Sequence, residues 1–182
     1  MGETLKQRLK NHETVFGTFY KLNSPIATEM LGWAGMDFIV IDCEHGAISS
    51  ESVENIVRCA DSTGMSTVVR VASDAEEHIL HALDSGAEGV QIPDLKTVEQ
   101  FKRSAAACKY YPLGTRGLSR GTRSLDLSAA SASGTRPNSP MWRRPMSAAW
   151  WWYTLKTRRW RKRLMRFARS PILTWCLWVR LT

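Results

Sequence analysis

Polar residues that could carry out chemistry follow the most apolar segments of this sequence. The run FIVIDCEH ends in Asp42, Glu44 and His45, and the run STVVRV contains Arg70. Continuous apolar runs are typical of strands buried on both faces, and here the polar groups come only at their carboxyl ends. In a barrel of parallel strands this end is the catalytic face, so we expect the four side chains to surround one pocket. Gln91, in the run GVQIP, is expected to join them as a substrate-binding residue.

An acid, a base and a fixed cation at adjacent strand ends suit the handling of a small anionic keto acid. The guanidinium of Arg70 can hold a carboxylate or an enolate through two parallel hydrogen bonds. His45 can move a proton, because an imidazole gains and loses its proton near neutral pH. A structural role is the alternative, in which Asp42 and Glu44 cap loops and Arg70 pairs with one of them. The residue types alone do not decide between the two.

Four short apolar runs alternate with amphipathic segments between residues 15 and 110. The predicted strands are VFGTFYKL, FIVIDCEH, STVVRV and GVQIP. Three predicted helices begin with a serine that can cap them and end in glycine: SPIATEMLGWAG, SSESVENIVRCADSTG and SDAEEHILHALDSG. A fourth is TVEQFKRSAAACKY. The alternation predicts βα units around a parallel sheet, which fits either a doubly wound sheet or half of a barrel.

These segments together resemble the HpcH/HpaI aldolase family, the 2-keto-3-deoxy sugar acid and 2,4-dihydroxyhept-2-ene-1,7-dioate aldolases. The resemblance is carried by SPIATEMLGWAGMDFIVIDCEHG, VVRV, LDSGAEGVQIPDLKTVEQ and YYPLGTRGL, in the family's order and spacing across residues 5–123. It implies an α/β fold, an incomplete (β/α)8 TIM barrel whose first four βα units occupy residues 1–123. The length of 182 residues agrees with this, because a complete barrel typically needs about 250.

The resemblance also implies a reaction and a role for each catalytic residue. The family carries out a class II, metal-dependent cleavage of 2-keto-3-deoxy or 4-hydroxy-2-oxo acids to pyruvate and an aldehyde. His45 corresponds to its acid/base histidine, and Arg70 to the arginine that binds the keto acid and its enolate. Asp42 and Glu44 match the acidic positions that orient this histidine and a water on the metal.

A divalent metal such as Mg²⁺ or Mn²⁺ is the cofactor that the resemblance implies. The family's direct ligands, a Glu and an Asp, come from the fifth and sixth strands, after the point where the resemblance stops. Asp126 is the only acidic residue in the remainder of the chain. We therefore expect this chain to lack the metal ligands and not to bind the metal.

Two other groups of residues are candidates for a place at the site. Gly114 and Gly117 of PLGTRGL are predicted to form a turn packed against it that contacts substrate through backbone amides, with an ordinary loop as the alternative. His78 and His81 lie three residues apart on the third predicted helix. For these histidines a surface position is expected rather than a metal site.

The charge and the aromatic content of the chain change near residue 123. Residues 124–182 contain 12 of the 25 Lys and Arg residues but only 1 of the 17 Asp and Glu residues. The net charge is therefore −3 before this boundary and +11 after it. Seven of the eight tryptophans also follow the boundary. We predict that residues 124–182 form a poorly ordered tail outside the family's fold.

Three explanations compete for this tail. The segment WWWYTLKTRRWRKRLMRFAR has the composition of a module that binds nucleic acid or an anionic membrane. A disordered basic extension is the second explanation, although seven tryptophans argue against a purely solvated segment. The third explanation is a one-base change of reading frame near residue 123.

The genetic code favours the change of frame, because tryptophan has a single codon. A frame that takes the last base of one codon and the first two of the next turns WWWY at 150–153 into Leu, Met or Val followed by three obligatory valines. With permitted codons, the shifted tail resembles the family's continuation, including the Glu after its fifth strand and a VGPxD motif after its sixth. On this explanation the basic, aromatic character is accidental and indicates neither a nucleic-acid nor a membrane partner.

The preferred hypothesis for function is an aldehyde-lyase whose partners are a small keto acid and an aldehyde. We expect a cytoplasmic homo-oligomer when the protein is intact, and an inactive fragment prone to association in this chain, because half a barrel has open sheet edges. The four cysteines show no paired metal spacing, and the start MGETLKQRLK has no apolar signal core. The alternatives are a citrate-lyase-like acyl lyase acting on coenzyme A thioesters and a basic nucleic-acid or membrane-binding protein.

Overall fold

The computed structural model describes residues 4–119 and 121–124, together with the backbone of residues 150–153. Its helices are α1 (Leu5–Lys10), α2 (Pro25–Trp33), α3 (Ser50–Thr63), α4 (Glu76–Asp84) and α5 (Val98–Ala107). Its strands are β1 (Gly17–Tyr20), β2 (Phe38–Asp42), β3 (Ser66–Arg70), β4 (Gly89–Ile92) and β5 (Trp150–Tyr153). The four predicted strands and the four predicted helices are confirmed, and α1 and β5 are additions.

The strand order identifies the kind of sheet. All neighbouring strands are parallel, and they follow one another as β1-β2-β3-β4-β5 without a reversal. A doubly wound sheet reverses its order at a switch point and carries helices on both faces. Here α3, α4 and α5 all pack on one face, so the described residues have the arrangement of consecutive βα units of a barrel.

The main core lies between the sheet and these helices. Strand residues that point toward the helices are almost completely buried, and they meet the apolar faces of α3, α4 and α5. The largest of these buried side chains are Ile39, Ile41, Ile56, Ile79, Leu83 and Ile92. On the other face, α1 covers the sheet with Leu5 against Val40 and Val68. The polar ends of β2 and β3 extend beyond this second cluster.

The predicted helix boundaries are correct at most positions. Ser24 and Ser49 cap α2 and α3, each accepting a hydrogen bond from a backbone N–H three residues later. Helix α5 begins at Thr97 with a reciprocal capping box in which Gln100 is the partner. The three predicted terminal glycines all have positive φ, the conformation that favours glycine at a helix end: Gly35, Gly64 and Gly86.

The predicted start of α4 was wrong. Its N-cap is Ala75, which provides no side-chain hydrogen bond, and not Ser73. The Ser73 hydroxyl instead accepts from the N–H of Ala75 at 3.3 Å and pairs with Nδ1 of His78 at 3.0 Å. Serine satisfies backbone groups in a turn as readily as at a helix start, so the residue type did not distinguish the two.

Strand β5 lies in the segment that was predicted to fall outside the fold. Its backbone pairs in parallel with β4, from Gly89 opposite Trp150 to Ile92 opposite Tyr153. Aromatic residues have a high propensity for strands, and the open edge of β4 offers unpaired backbone groups to such a run. Residues 125–149 and 154–182 lie outside the described part, so the boundary at residue 123 and the explanations of the tail stay predictions. In the described part, no helix has the length and apolar character needed to cross a membrane.

Candidate active site

The strand registers bring the predicted site residues into one layer. Asp42 stands opposite Arg70, and Arg70 stands opposite Gln91. Successive side chains of a strand point to opposite faces, and the neighbours Ile41, Val69 and others lie in the helix-facing core. The three polar residues therefore share the inner face at the carboxyl ends of β2, β3 and β4. The expectation that these strand ends meet is supported.

Asp42 and Arg70 form an acid–arginine pair with two-point geometry. Nε of Arg70 donates to Oδ1 of Asp42 at 3.0 Å, and Nη2 donates to Oδ2 at 2.6 Å. The side chain of Asp42 is completely buried, and that of Arg70 is 16% exposed. Such a fork fixes the plane of the guanidinium, so that its remaining N–H groups point in a defined direction.

The turn after β2 is organised around the same carboxylate. Oδ1 of Asp42 accepts hydrogen bonds from the backbone N–H groups of Glu44 and His45, both at 3.1 Å. The chain then turns so tightly that a Cβ on Gly46 would lie 2.3 Å from the carbonyl oxygen of Asp42. The sequence DCEHG is thus a compact turn that holds His45 beside the pair. The ring of His45 is 62% exposed, with Nε2 3.7 Å from Oε1 of Glu44.

Electrostatics keep Asp42 ionised. Burial by itself would raise the pKa of this carboxyl group, but the hydrogen bonds from Arg70, the N–H groups of the turn and the positive charge of Arg70 outweigh it and lower the pKa to about 2. Asp42 is therefore a carboxylate at neutral pH. A carboxylate held in this way is suited to orient Arg70 and the turn rather than to transfer a proton.

The depressed pKa of Asp42 predicts a pH-dependent stability. A carboxyl group whose pKa falls from 3.8 in the unfolded chain to about 2 in the folded chain stabilises the fold above pH 3.8, and this contribution disappears as the pH falls through 2. Urea unfolding of the wild type and of Asp42→Asn should therefore differ most near pH 6. The difference should shrink by roughly 2 kcal/mol between pH 5 and pH 2.

Asp94→Asn provides the matched control, because Asp94 lies in an exposed loop and, within the described part of the chain, pairs with the exposed Lys96. Its difference from the wild type should stay nearly constant over the same pH range. A difference between wild type and Asp42→Asn that does not change with pH would contradict the assignment.

Arg70 has two further neighbours besides Asp42. Oε2 of Glu44 lies 3.2 Å from Nη1, and the guanidinium carbon lies 4.9 Å from the centre of the Phe19 ring. An arginine has five N–H donors, and Asp42 accepts from two of those of Arg70. Among the described residues, Glu44 is the other acid close to the guanidinium, so the terminal nitrogens keep donor capacity beyond these two carboxylates. Phe19 forms an apolar wall at this point, on the inner face of β1.

Lys21 is a site residue that the sequence reasoning missed. Its Nζ lies 3.5 Å from Oδ2 of Asp42, and its side chain is 54% exposed. It directly follows β1, so the rule that selected the residues after β2 and β3 also applies to it. β1 is an edge strand with exposed positions. It lacks the continuous apolar run by which β2 and β3 were predicted to be buried strands. Lys21 adds a mobile positive charge beside the fixed one of Arg70.

Gly114 and Gly117 do not lie beside this cluster. The N–H of Gly114 donates to the carbonyl of Tyr110, and a Cβ at this position would lie 2.2 Å from the carbonyl oxygen of Ala106. Ala106 lies at the end of α5, and Tyr110 follows that end by three residues. Since α5 leads from the carboxyl end of β4 back toward the start of the next strand, its end lies at the opposite edge of the sheet. The structure therefore does not support the predicted substrate contact of the two glycines.

The described residues contain a cavity of about 190 Å³ between α3 and α4, on the helix side of the sheet. It is lined by Val69 and Val71, whose side chains point away from the face that carries Arg70. His78 and His81 lie at its rim and are exposed on α4, in agreement with the expected surface position. The cavity is thus separate from the acid–arginine pair.

The described residues do not fit a divalent cation. Asp42 and Glu44 both pair with Arg70, so their oxygens face a positive charge. Burial, and then the charge of Asp42, raise the pKa of the Cys43 thiol to about 11, which disfavours the thiolate needed for a ligand. No group of three His, Cys, Asp or Glu side chains in the described ranges could hold a metal ion. The positions after the fifth and sixth strands lie outside these ranges.

Comparison with known proteins relates the chain to aldolases. Over 110 residues it is 34% identical to 2-dehydro-3,6-dideoxy-6-sulfogluconate aldolase of Pseudomonas putida, a match that covers 60% of this chain and 43% of the relative. Over 115 residues it is 32% identical to hydroxypyruvate/pyruvate aldolase of Roseobacter denitrificans, covering 63% of this chain and 45% of that protein. The chain thus spans less than half the length of these relatives.

Solved structures show the same fold. An HpcH/HpaI aldolase from Desulfitobacterium hafniense superposes with a TM-score of 0.77 at 23% identity, covering 100% of this chain and 66% of the other. A citrate synthase superposes with a TM-score of 0.72 at 26% identity, covering 93% of this chain and 62% of the other. The first likeness concerns the fold alone, since the identity is low.

The family assignment rests on a match longer than either relative's. The model of the HpcH/HpaI aldolase/citrate lyase family matches residues 15–144, which includes every residue of the acid–arginine pair and its turn. The match also continues past residue 123, where the sequence resemblance was taken to end. The chain therefore belongs to the HpcH/HpaI aldolase/citrate lyase family.

Proposed function

We propose that this chain provides the keto-acid-binding part of a class II aldolase that cleaves 2-keto-3-deoxy or 4-hydroxy-2-oxo acids to pyruvate and an aldehyde. The observation that supports the proposal is the buried ion pair of Asp42 and Arg70, joined by two hydrogen bonds, at the carboxyl ends of β2 and β3. It holds a guanidinium rigidly at the edge of the sheet where barrel enzymes place their chemistry. A purely structural ion pair has no need to expose N–H donors at that edge.

Arg70 binds the keto acid and stabilises the negative charge that forms on it. In cleavage, the bond between C3 and C4 breaks, and its electrons move onto the 2-oxo group as an enolate. A donor that is already fixed in place stabilises this charge without the cost of reorganisation. The N–H groups of Arg70 that remain after pairing are directed by Asp42, and Lys21 adds a second positive charge 3.5 Å from Asp42.

His45 is the group that moves the proton. Cleavage requires that the C4 hydroxyl lose a proton as the aldehyde forms, and that the enolate carbon later gain one. His45 follows Asp42 by three residues in the same turn, and its ring is free to reach outward into the mouth of the site. Oε1 of Glu44 lies 3.7 Å from Nε2 of the ring, at the same mouth.

The substrate class is supported by the relatives. Their names specify a sulfogluconate derivative, hydroxypyruvate and pyruvate, and in other relatives 5-keto-4-deoxy-D-glucarate. All of these are keto acids or yield one, which is the anion that Arg70 is suited to bind. A divalent cation would polarise the 2-oxo group in such an enzyme. Because the described residues do not fit this cation, anion binding rather than turnover is the property to measure in this chain.

The proposal predicts that the planar guanidinium of Arg70 binds the anion through two N–H groups, and that its positive charge alone is not sufficient. Oxalate, a planar mimic of the pyruvate enolate, and pyruvate itself serve as probes in calorimetric or NMR titrations of the full chain. Arg70→Lys keeps the charge but loses the bidentate geometry, so the affinity for oxalate should fall about tenfold, the equivalent of one charge-assisted hydrogen bond.

Arg103→Lys is the matched control, since Arg103 lies on the exposed side of α5 and pairs with Asp74. Its affinity for oxalate should equal that of the wild type. If Arg70→Lys binds oxalate as tightly as the control, or if the wild type binds neither anion, the proposed function of this site is wrong.

A related acyl lyase acting on coenzyme A thioesters is the second candidate. It is favoured by the citrate lyase members of the same family and by the structural likeness to a citrate synthase. Titration with citrate and with acetyl-coenzyme A separates the two functions. Tighter binding of acetyl-coenzyme A than of pyruvate, dependent on Arg70, would favour the acyl lyase.

A further inference from the structure

Four polar side chains form a row across the carboxyl edge of the sheet. The strand registers place Asp42 opposite Arg70 and Arg70 opposite Gln91. The last paired residues of β1 and β2 come directly before Lys21 and Asp42, so these two residues continue the register. Because side chains alternate between the faces of a strand, Lys21 shares the inner face with the other three. The row therefore consists of a cation, a carboxylate, a second cation and an amide.

The two cations of this row converge on one oxygen of Asp42. Nη2 of Arg70 lies 2.6 Å from Oδ2, and Nζ of Lys21 lies 3.5 Å from the same atom. The two nitrogens can then be no farther apart than the sum of these distances, about 6 Å. Two positive groups thus stand together at the mouth of the site.

The contact between Lys21 and Asp42 is the weaker of the two. Its length of 3.5 Å exceeds the roughly 2.7–2.9 Å of a charge-assisted hydrogen bond. Asp42 already accepts two hydrogen bonds from Arg70 and two from backbone N–H groups of the turn. The side chain of Lys21 is 54% exposed, and exposed ion pairs contribute little to stability. Lys21 can therefore leave Asp42 at small cost.

Arg70 and Lys21 are suited to different parts of a ligand. The guanidinium of Arg70 is held in one plane by Asp42 and is 16% exposed. The ammonium of Lys21 is carried by a flexible four-carbon stem, so its position can adjust to the ligand. A fixed cation suits the 2-oxo acid group, whose geometry does not vary. A mobile cation suits a group whose distance from that end varies.

We propose that Lys21 is a specificity-determining residue that binds a second anionic group, at the end of the keto acid remote from its 2-oxo acid group. This inference rests on the proposed function, in which Arg70 binds the 2-oxo acid end. With carbon–carbon bonds of about 1.5 Å, a five-carbon keto acid with a carboxylate at each end is long enough to contact both cations. The charge of Asp42 does not prevent this, because Arg70 and the turn already compensate it.

A pair of ligands that differ only at the remote end tests the role of Lys21. 2-Oxopentanedioate ends in a carboxylate where 2-oxopentanoate ends in a methyl group. In calorimetric titrations of the full chain at low ionic strength, the wild type should bind the first about tenfold more tightly, the equivalent of one charge-assisted contact. Lys21→Met keeps a long side chain without the charge. Its affinity for 2-oxopentanedioate should fall about tenfold, and its affinity for 2-oxopentanoate should not change.

Two lysine and arginine substitutions serve as controls. Lys21→Arg keeps a long, positively charged side chain, so it should retain most of the preference for 2-oxopentanedioate. Lys102→Met removes an exposed lysine of α5 and should retain the whole preference. A Lys21→Met variant that keeps the wild-type preference would overturn the proposal. Equal losses for both ligands would do the same, because they would mean that Lys21 acts through Asp42 and Arg70.

Arg70→Lys separates this inference from the proposed function. If Arg70 binds the 2-oxo acid end, this variant should bind both ligands more weakly. A wild type that binds the two ligands equally, with both weakened in Arg70→Lys, would refute the role of Lys21 and leave the proposed function intact. A wild type that binds neither ligand would refute both.

Discussion

Replacement of Arg70 by methionine is expected to lower the free energy of unfolding by about 3 kcal/mol, because it removes the main partner of the buried charge of Asp42. Asp42 is completely buried, and Arg70 supplies both of its side-chain hydrogen bonds at 2.6 and 3.0 Å. The backbone N–H groups of the turn and the half-exposed Lys21, 3.5 Å from Oδ2, partly compensate the charge that remains. Urea unfolding at pH 7 measures the loss.

Two controls separate the loss of the pair from the loss of an arginine. Arg103→Met removes an exposed arginine that pairs with Asp74, and it should cost less than about 1 kcal/mol. The double variant Arg70→Met with Asp42→Asn should be more stable than Arg70→Met alone, because the unpaired charge is gone. A double variant that is less stable by the sum of both single effects would show that the two residues act independently.

The pH dependence of the same variant provides a further check. Without Arg70, burial is expected to raise the pKa of Asp42 above its value of about 2 in the wild type. The carboxyl group then becomes neutral at a higher pH, and the cost of burying its charge disappears with it. The deficit of Arg70→Met relative to the wild type should accordingly be constant near pH 7 and shrink once the pH falls through the raised pKa of Asp42 in the variant.

The acid–arginine pair could be predicted from sequence because it follows from rules of parallel sheets. Asp42 and Arg70 each end an apolar run, and parallel neighbours place such ends side by side. The exact register was not in the sequence, and it matters, because a slip of one residue would place the two side chains on opposite faces of the sheet. Periodicity did leave the barrel and the doubly wound sheet open. The sequential strand order of the structure favours the barrel.

Residues whose position depends on chain direction or on edge strands were harder to place. Gly114 and Gly117 follow α5, and the return of that helix carries them to the far edge of the sheet. Lys21 follows β1, a partly exposed strand without a continuous apolar run. Its position at a strand end therefore could not be distinguished from that of an ordinary surface lysine. The exposure of Ile26, Met30 and Trp33 on α2 was not predicted either. Apolar residues of a helix are expected in the core when the orientation of the helix is not known.

Gly46→Ala is expected to lower the free energy of unfolding by about 3 kcal/mol, although it adds only a methyl group. The new Cβ would lie 2.3 Å from the carbonyl oxygen of Asp42, and a backbone atom at the end of β2 cannot move aside as a flexible side chain can. The turn must therefore open, which pulls the N–H groups of Glu44 and His45 away from the Asp42 carboxylate. Oxalate affinity should fall with it, since this carboxylate directs Arg70.

Gly117→Ala is the matched substitution, because a Cβ at Gly117 meets no atom of the described residues within 4 Å. Its stability and its affinity for oxalate should stay close to those of the wild type. Equal stability of the two alanine variants would mean that the turn accommodates a side chain at residue 46. In that case the close approach of residue 46 to the Asp42 carbonyl does not position His45. The proposed dependence of anion binding on this turn would be wrong, although Arg70 could still bind the anion.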